Sequence, residues 1–279
     1  MTAPDPGRRR ALAILGAGVA AAALGAVAWW RGDGAPPATT QLAGTAVPPP
    51  TTTTAPPSST TTIGAATTTT APPGTTTSAT NTAGTVITVI GREGWGARRP
   101  GGGLVEHIVE RITVHHTATL LEANSEAPSH LRGHQAFHVD TRGWPDLAYH
   151  FVIDAAGNVY QGRDPAMGGD TATDYDPTGH LLVCCEGNFD RQPLPDPQRT
   201  SLETMLAWAV AEYAVSVDTI AGHGDHAATS CPGDALRTPI HDGTLAEAVG
   251  ARTAAAPLTV EILTGRPAVA AVAAIEAGR

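Results

Sequence analysis

The chain reads as an α/β protein, and three observations point there. Apolar runs with strand character recur at 111–115, 147–153 and 181–185. A helical repeat around 131–139 lies between the first two, and an amphipathic one over 200–215 follows the third. Turn formers at 154–158 fold the middle run back onto 159–161 as a hairpin. A mixed central β-sheet flanked by helices is the expected architecture.

The flanks differ from this middle. The chain has 279 residues and a formal net charge of -9. Only beyond about Val86 does a globular mixture begin, which leaves roughly 190 residues, enough for one domain with a sizeable core. An acidic chain without a basic stripe argues against nucleic acid as a partner. Arg8, Arg9 and Arg10 precede an uncharged run rich in Ala, Gly, Leu and Val over 11–30. Residues 1–30 are therefore an export signal or an N-terminal membrane anchor. Paired arginines fit the twin-arginine route, with general secretion as the alternative. Ala26-Val27-Ala28 offers a cleavage site, whereas Trp29, Trp30 and Arg31 fit the interfacial end of a retained helix. Both outcomes export the rest, to the extracellular space or the cell envelope, and the second attaches it to the membrane through 11–30. Residues 31–85 are a Thr/Pro-rich linker with too little apolar surface to offset ordering entropy, so disorder is expected. Residues 246–279 form an Ala-rich tail, with a candidate strand at 257–263, a candidate helix at 267–277 and an open role.

Within the middle, each element carries or frames a chemical group. The strand 111–115 ends in His115-His116-Thr117, and successive strand side chains face opposite ways, so only one imidazole of the pair reaches a given ion. Pro128-Ser129 opens the first helix, on which His134 and His138 sit four apart, also a metal-competent spacing. Cys184 and Cys185 read as buried strand residues, since a bridge between neighbours is strained; no disulfide framework is expected. In the helix over 200–215, Leu202, Met205, Leu206, Ala209, Val210 and Tyr213 share one face, and neither Met205 nor Trp208 has a cofactor role. Residues 217–223 bring the chain back to His223, and Cys231 follows eight positions later in a turn-rich segment. Two imidazoles and one thiolate fill three of zinc's four tetrahedral positions. The fourth is left for a water whose pKa the metal lowers to about 7, as in hydrolytic sites. His226 is a rival ligand, and Asp225 is placed to orient a neighbouring group.

Five blocks stand in one order: Ile90-Gly91-Arg92-Glu93-Gly94-Trp95-Gly96-Ala97-Arg98, His115-His116-Thr117-Ala118, Arg142-Gly143-Trp144-Pro145-Asp146-Leu147-Ala148-Tyr149-His150-Phe151-Val152-Ile153, Glu186-Gly187-Asn188-Phe189, and Gly222-His223 through Cys231-Pro232-Gly233. Over about 88–240 the chain resembles peptidoglycan recognition proteins and zinc N-acetylmuramoyl-L-alanine amidases. The resemblance implies a zinc site in a surface groove, with His115, His223 and Cys231 as ligands. It implies Tyr149 and Thr229 as catalytic hydrogen-bond donors, and His138, Arg142, Trp144 and His116 as substrate-binding candidates. The reaction implied is hydrolysis of the amide between N-acetylmuramic acid and L-alanine, by a monomer whose partner is peptidoglycan. Related bacterial enzymes carry a glutamate where this chain has Cys184. Glu186 belongs to the following turn, so the general base is left open. A non-catalytic recognition module is the alternative; His115, His223, Cys231 and Tyr149 together argue against it.

Overall fold

The computed structural model describes residues 84–279. The signal or anchor reading of 1–30 and nearly all of the linker reading lie outside the described residues. Strand β1 (Thr85–Ile90) already includes the last position assigned to the linker. It is followed by β2 (Arg111–His116), α1 (Ala127–Ala136), β3 (Phe151–Ile153), β4 (Val159–Gln161), β5 (His180–Cys185) and α2 (Asp196–Glu212). Then come β6 (Ile220–Gly222), α3 (Asp234–His241), α4 (Thr244–Ala255), β7 (Leu258–Leu263) and α5 (Gly265–Glu276).

The strands form one 7-stranded sheet in the order β6-β2-β5-β3-β4-β1-β7. Only the β3–β4 hairpin is antiparallel; the remaining neighbours run parallel. The mixed sheet expected from the sequence is thus the one observed. Alternation along each strand feeds two cores. Ile112, Val114, Leu181, Val183 and Cys185 face α2 and α4 with Leu202, Leu206, Trp208 and Val249. Cys184, Val152, Tyr160 and Ile90 face the other way, against Leu131 of α1 and Ala268, Val272 and Ile275 of α5. Cys184 and Cys185 therefore point to opposite cores, and both are free.

Several boundaries differ from expectation. The strand expected from Leu147 begins only at Phe151. Before it the buried Arg163 side chain takes the carbonyls of Asp146 and Leu147, at 3.2 and 2.9 Å, so those groups serve a guanidinium instead of a ladder. Helix α2 starts at Asp196 and ends at Glu212, slightly ahead of the expected span. Residues 246–279 are no loose tail. Strand β7 pairs with all of β1, and α5 closes the second core. Helix α1 opens with proline in its first turn, where the missing N–H is not needed, and gives way to a π-helical turn over Phe137–Thr141.

Among the described residues no helix is long and apolar enough to cross a membrane. The run 11–30 lies outside them.

Candidate metal centre

Parallel pairing builds the centre. Strands β2 and β6 are neighbours with Val114 opposite Gly222. The next residue of each is a histidine, so His115 and His223 emerge side by side at the carboxyl ends of two strands. Their rings lie 4.6 Å apart. The loop after His223 folds back on itself, with Gly224 N–H donating to the Cys231 carbonyl at 2.7 Å. That turn carries the Cys231 thiol over the end of β2, where it accepts from His116 N–H at 3.4 Å. His115 Nδ1 and Cys231 Sγ are 3.6 Å apart.

Donor atoms of His115, His223 and Cys231 all lie within 4.8 Å of one another. The Sγ–Nδ1 separation matches the edge, about 3.6 Å, of a tetrahedron with Zn–S near 2.3 Å and Zn–N near 2.0–2.1 Å. Electrostatics favour the same use. Burial, then His223 and His116, hold the His115 pKa well below the ordinary histidine range; burial lowers that of His223 to about 4. Both imidazoles are neutral, the form that donates a lone pair. Burial pushes Cys231 up to about 12, partly opposed by the His116 N–H. A nucleophilic cysteine needs the opposite shift, whereas a thiol of this kind surrenders its proton to a bound cation. The residues fit zinc.

Thr173, unremarked in the sequence, completes the arrangement. Its Oγ1 lies 2.7 Å from His223 Nε2. With Nε2–H donating to that hydroxyl, the His223 lone pair is on Nδ1. Asp225 does not touch the His223 ring; its carboxylate accepts from Gly222 N–H and pairs with His241, each at 2.7 Å.

The other candidate residues divide. His115, Tyr149, His138 and Trp144 form a row, with successive ring separations of 5.3, 5.7 and 4.8 Å. Arg142 lies over the rings of Phe137 and Trp144 at 5.3 and 6.0 Å. Burial raises the Tyr149 pKa well above its ordinary value, so the phenol keeps its proton. His138 Nδ1 accepts from Ala148 N–H at 3.1 Å, and burial holds its pKa down at about 3. Thr229 Oγ1 accepts from Cys231 N–H at 3.3 Å. His116 is not brought to this row. It faces the opposite core, where its Nδ1 accepts from Phe189 N–H at 3.3 Å, because neighbours on a strand alternate. The rival His226 stacks on Tyr175 at 5.4 Å and lies outside the triad. The His134–His138 spacing does not form a metal group either: His138 sits on the π-helical turn with its ring against Trp144, while His134 turns to Glu186. Glu186 lies in the bend after β5, as expected, and its carboxylate is buried. Thr173 and Tyr175 also line an open cleft of ≈ 390 Å³ that reaches Leu104, Pro145 and Arg163.

Residues 106–234 match the family model for N-acetylmuramoyl-L-alanine amidase. Peptidoglycan-recognition protein SC2 of Drosophila melanogaster is 30% identical over 150 residues, covering 53% of this chain and 81% of that protein. The chain belongs to the peptidoglycan recognition protein and amidase family. A second relative is N-acetylmuramoyl-L-alanine amidase of Homo sapiens, 32% identical over 130 residues, which span 45% of this chain and 22% of that protein. Among solved structures, drosophila peptidoglycan recognition protein SD superposes with a TM-score of 0.52 at 26% identity, over 56% of this chain and 94% of that one. Peptidoglycan recognition protein-LE, solved in complex with tracheal cytotoxin, a monomeric diaminopimelic acid-type peptidoglycan, gives 0.51 at 27% identity, over 55% and 92%. The family holds proteins named as amidases and proteins named for recognition, and the metal-competent triad bears on which of the two this member is.

Proposed function

We propose that this protein is a zinc-dependent N-acetylmuramoyl-L-alanine amidase, exported and acting on peptidoglycan as a monomer. One observation carries the reading: His115, His223 and Cys231 present their donor atoms within 4.8 Å, and no fourth His, Cys, Asp or Glu among the described residues joins them. A closed structural site would use such a fourth ligand. When bound, zinc would supply Lewis acidity toward the scissile carbonyl and the attacking water.

The chain's own groups supply the rest. Thr173 orients His223, and the turn at Gly224 fixes Cys231. Tyr149, beside His115 and protonated, donates a hydrogen bond to the oxygen that gains charge as the carbonyl carbon becomes tetrahedral. Thr229 is the second hydroxyl assigned to that oxygen. His138, Arg142 and Trp144 continue the row and are assigned to the stem peptide. His116 serves by packing behind the ligand strand. Water adds across the amide, the C–N bond breaks, and the products are the lactyl carboxylate and the free amino group of L-alanine. Residues 1–30 direct export, as a cleaved signal or a retained anchor, and the Thr/Pro-rich stretch up to Gly84 is a tether.

The test incubates the full chain with peptidoglycan, with and without a chelator, and reads products by mass spectrometry. Stem peptides with new L-alanine amino termini, lost on chelation, are expected. Intact linkages despite bound zinc and firm attachment to peptidoglycan would instead identify a recognition module.

A further inference from the structure

A second set of metal-competent side chains lies between α1 and the end of β5. Glu186 directly follows β5 and is 1% exposed. Its carboxylate is met by two imidazoles from one helix. His130 Nδ1 lies 3.0 Å from Oε1, and His134 Nε2 lies 3.1 Å from Oε2 and 3.3 Å from Oε1. His130 and His134 are one turn apart, so they share a face of α1. Leu131 between them is fully packed in the core, which fixes the direction that face presents. The rings meet edge-on at 6.2 Å.

A buried carboxylate costs several kcal/mol unless a cation answers it. Here the groups that answer are two imidazoles; the hydrogen bond to Glu186 raises the His130 pKa, and a divalent cation bound between them would displace that proton and use the nitrogen lone pairs. Two imidazoles and one carboxylate form a set that binds zinc and its divalent neighbours. The spacing agrees: a tetrahedron with bonds near 2.0–2.1 Å has edges of about 3.4 Å, against the 3.0 to 3.3 Å measured from nitrogen to oxygen. All three donor atoms fall within 4.8 Å of one another. The histidine side chains are 25% and 20% exposed, so the site opens to water on one side.

We infer that His130, His134 and Glu186 form a second divalent-metal site of the zinc and cobalt class, sharing no residue with His115, His223 and Cys231. Its ligands are His130 Nδ1, His134 Nε2 and a Glu186 oxygen, with the remaining position open to solvent. The inference stands apart from the amidase reading.

Cobalt(II) titration of the full chain, first stripped with a chelator, tests it by equilibrium dialysis and absorbance. Two equivalents are expected. One carries the thiolate-to-cobalt charge-transfer band of Cys231; the other adds ligand-field bands without it. Replacing both His130 and His134 by alanine should remove one equivalent and keep the thiolate band. Cys231→Ser should remove the thiolate band and keep the other equivalent. Glu186→Gln should weaken the second equivalent at least tenfold. Should that buried variant not fold, the double histidine variant, altered on the partly exposed face of α1, decides alone. A single equivalent that carries the thiolate band in the unmodified chain, or no loss of an equivalent in the double histidine variant, would overturn the inference; a single equivalent without that band would overturn the Cys231 centre instead.

Discussion

Thr173 reaches His223 from a loop without regular structure, and two residue-scale predictions turn on it and on Tyr149. Removing the hydroxyl by Thr173→Val should weaken zinc binding about 10–100-fold, the usual cost of losing a ligand's outer hydrogen bond, while leaving thermal unfolding of the metal-free chain unchanged. Competition against a chromophoric chelator measures it, and unchanged affinity would remove Thr173 from the centre. Tyr149→Phe should do the reverse: full zinc stoichiometry with kcat lowered about 10²–10³-fold, as for the loss of one oxyanion donor. A drop in zinc content there would mean that Tyr149 supports the metal and not the reaction. The residues alone offer two imidazoles and a thiolate, at a strand end and in a turn-rich segment, with His116 and His226 as rivals; it is the family resemblance that singles out His115, His223 and Cys231. Thr173 was not legible: it lies 50 positions from its partner, and no local pattern distinguishes it from the threonines around it. His130 left a trace in its four-residue offset from His134, but its meaning depends on Glu186, which the turn-like Glu-Gly-Asn sequence disguises.

At the scale of elements, His150 ties the hairpin approach to β5. Its Nδ1 accepts from Leu182 N–H at 2.7 Å, and its other nitrogen meets the Met167 carbonyl at 2.9 Å. That pattern requires a neutral ring, and burial, with His107 and Arg163, holds the pKa down at about 3 against an ordinary 6.5. The unfolded chain takes the proton first. Stability from this group is therefore complete above about pH 6.5 and falls as the pH drops toward 3, by up to about 1.4 kcal/mol per pH unit. His138, held at about 3 by burial, adds a slope of the same sign. Urea midpoints should decline from pH 6.5 to 4, and His150→Gln should be less stable but less pH-sensitive. An equal slope in the variant would show that other groups carry the acid response. The strand assignments 111–115 and 181–185 read true because both are buried on two faces: 181–185 is an uninterrupted apolar run, and Ile112 and Val114 carry the pattern in 111–115 around a buried Thr113. The strand expected from 147 starts late, because the Arg163 side chain claims the Leu147 carbonyl, and that of Asp146 before it, from a distance that periodicity cannot register. The π-helical turn that carries His138 away from His134 is likewise invisible in a 3.6-residue repeat.

Across the whole molecule, the least legible feature is the closing of the sheet by its last strand. Strand β1 lies between β4 and β7, and α5 covers Trp95 and Ile90 behind it. The β1–β7 pairing has no local signature, since its partners are about as far apart as the domain allows. Gly94 marks the contact: a Cβ there would lie 2.7 Å from Ala268 Cβ and 3.0 Å from the Ala268 carbonyl carbon. Because backbone cannot yield as a side-chain tip does, Gly94→Ala should destabilise the fold by about 1–3 kcal/mol, read from chemical denaturation. A neutral result would mean that α5 is not seated on that loop. The β1–β7 ladder also bears on mechanics. Its register runs without a break from Thr85 opposite Leu258 to Ile90 opposite Leu263. A pull applied at Gly84 along β1 would strain its hydrogen bonds to parallel partners on both sides together, as a shear joint, not unzip them one by one. Strand β7 thus splices β1 into the sheet against a pull from that end.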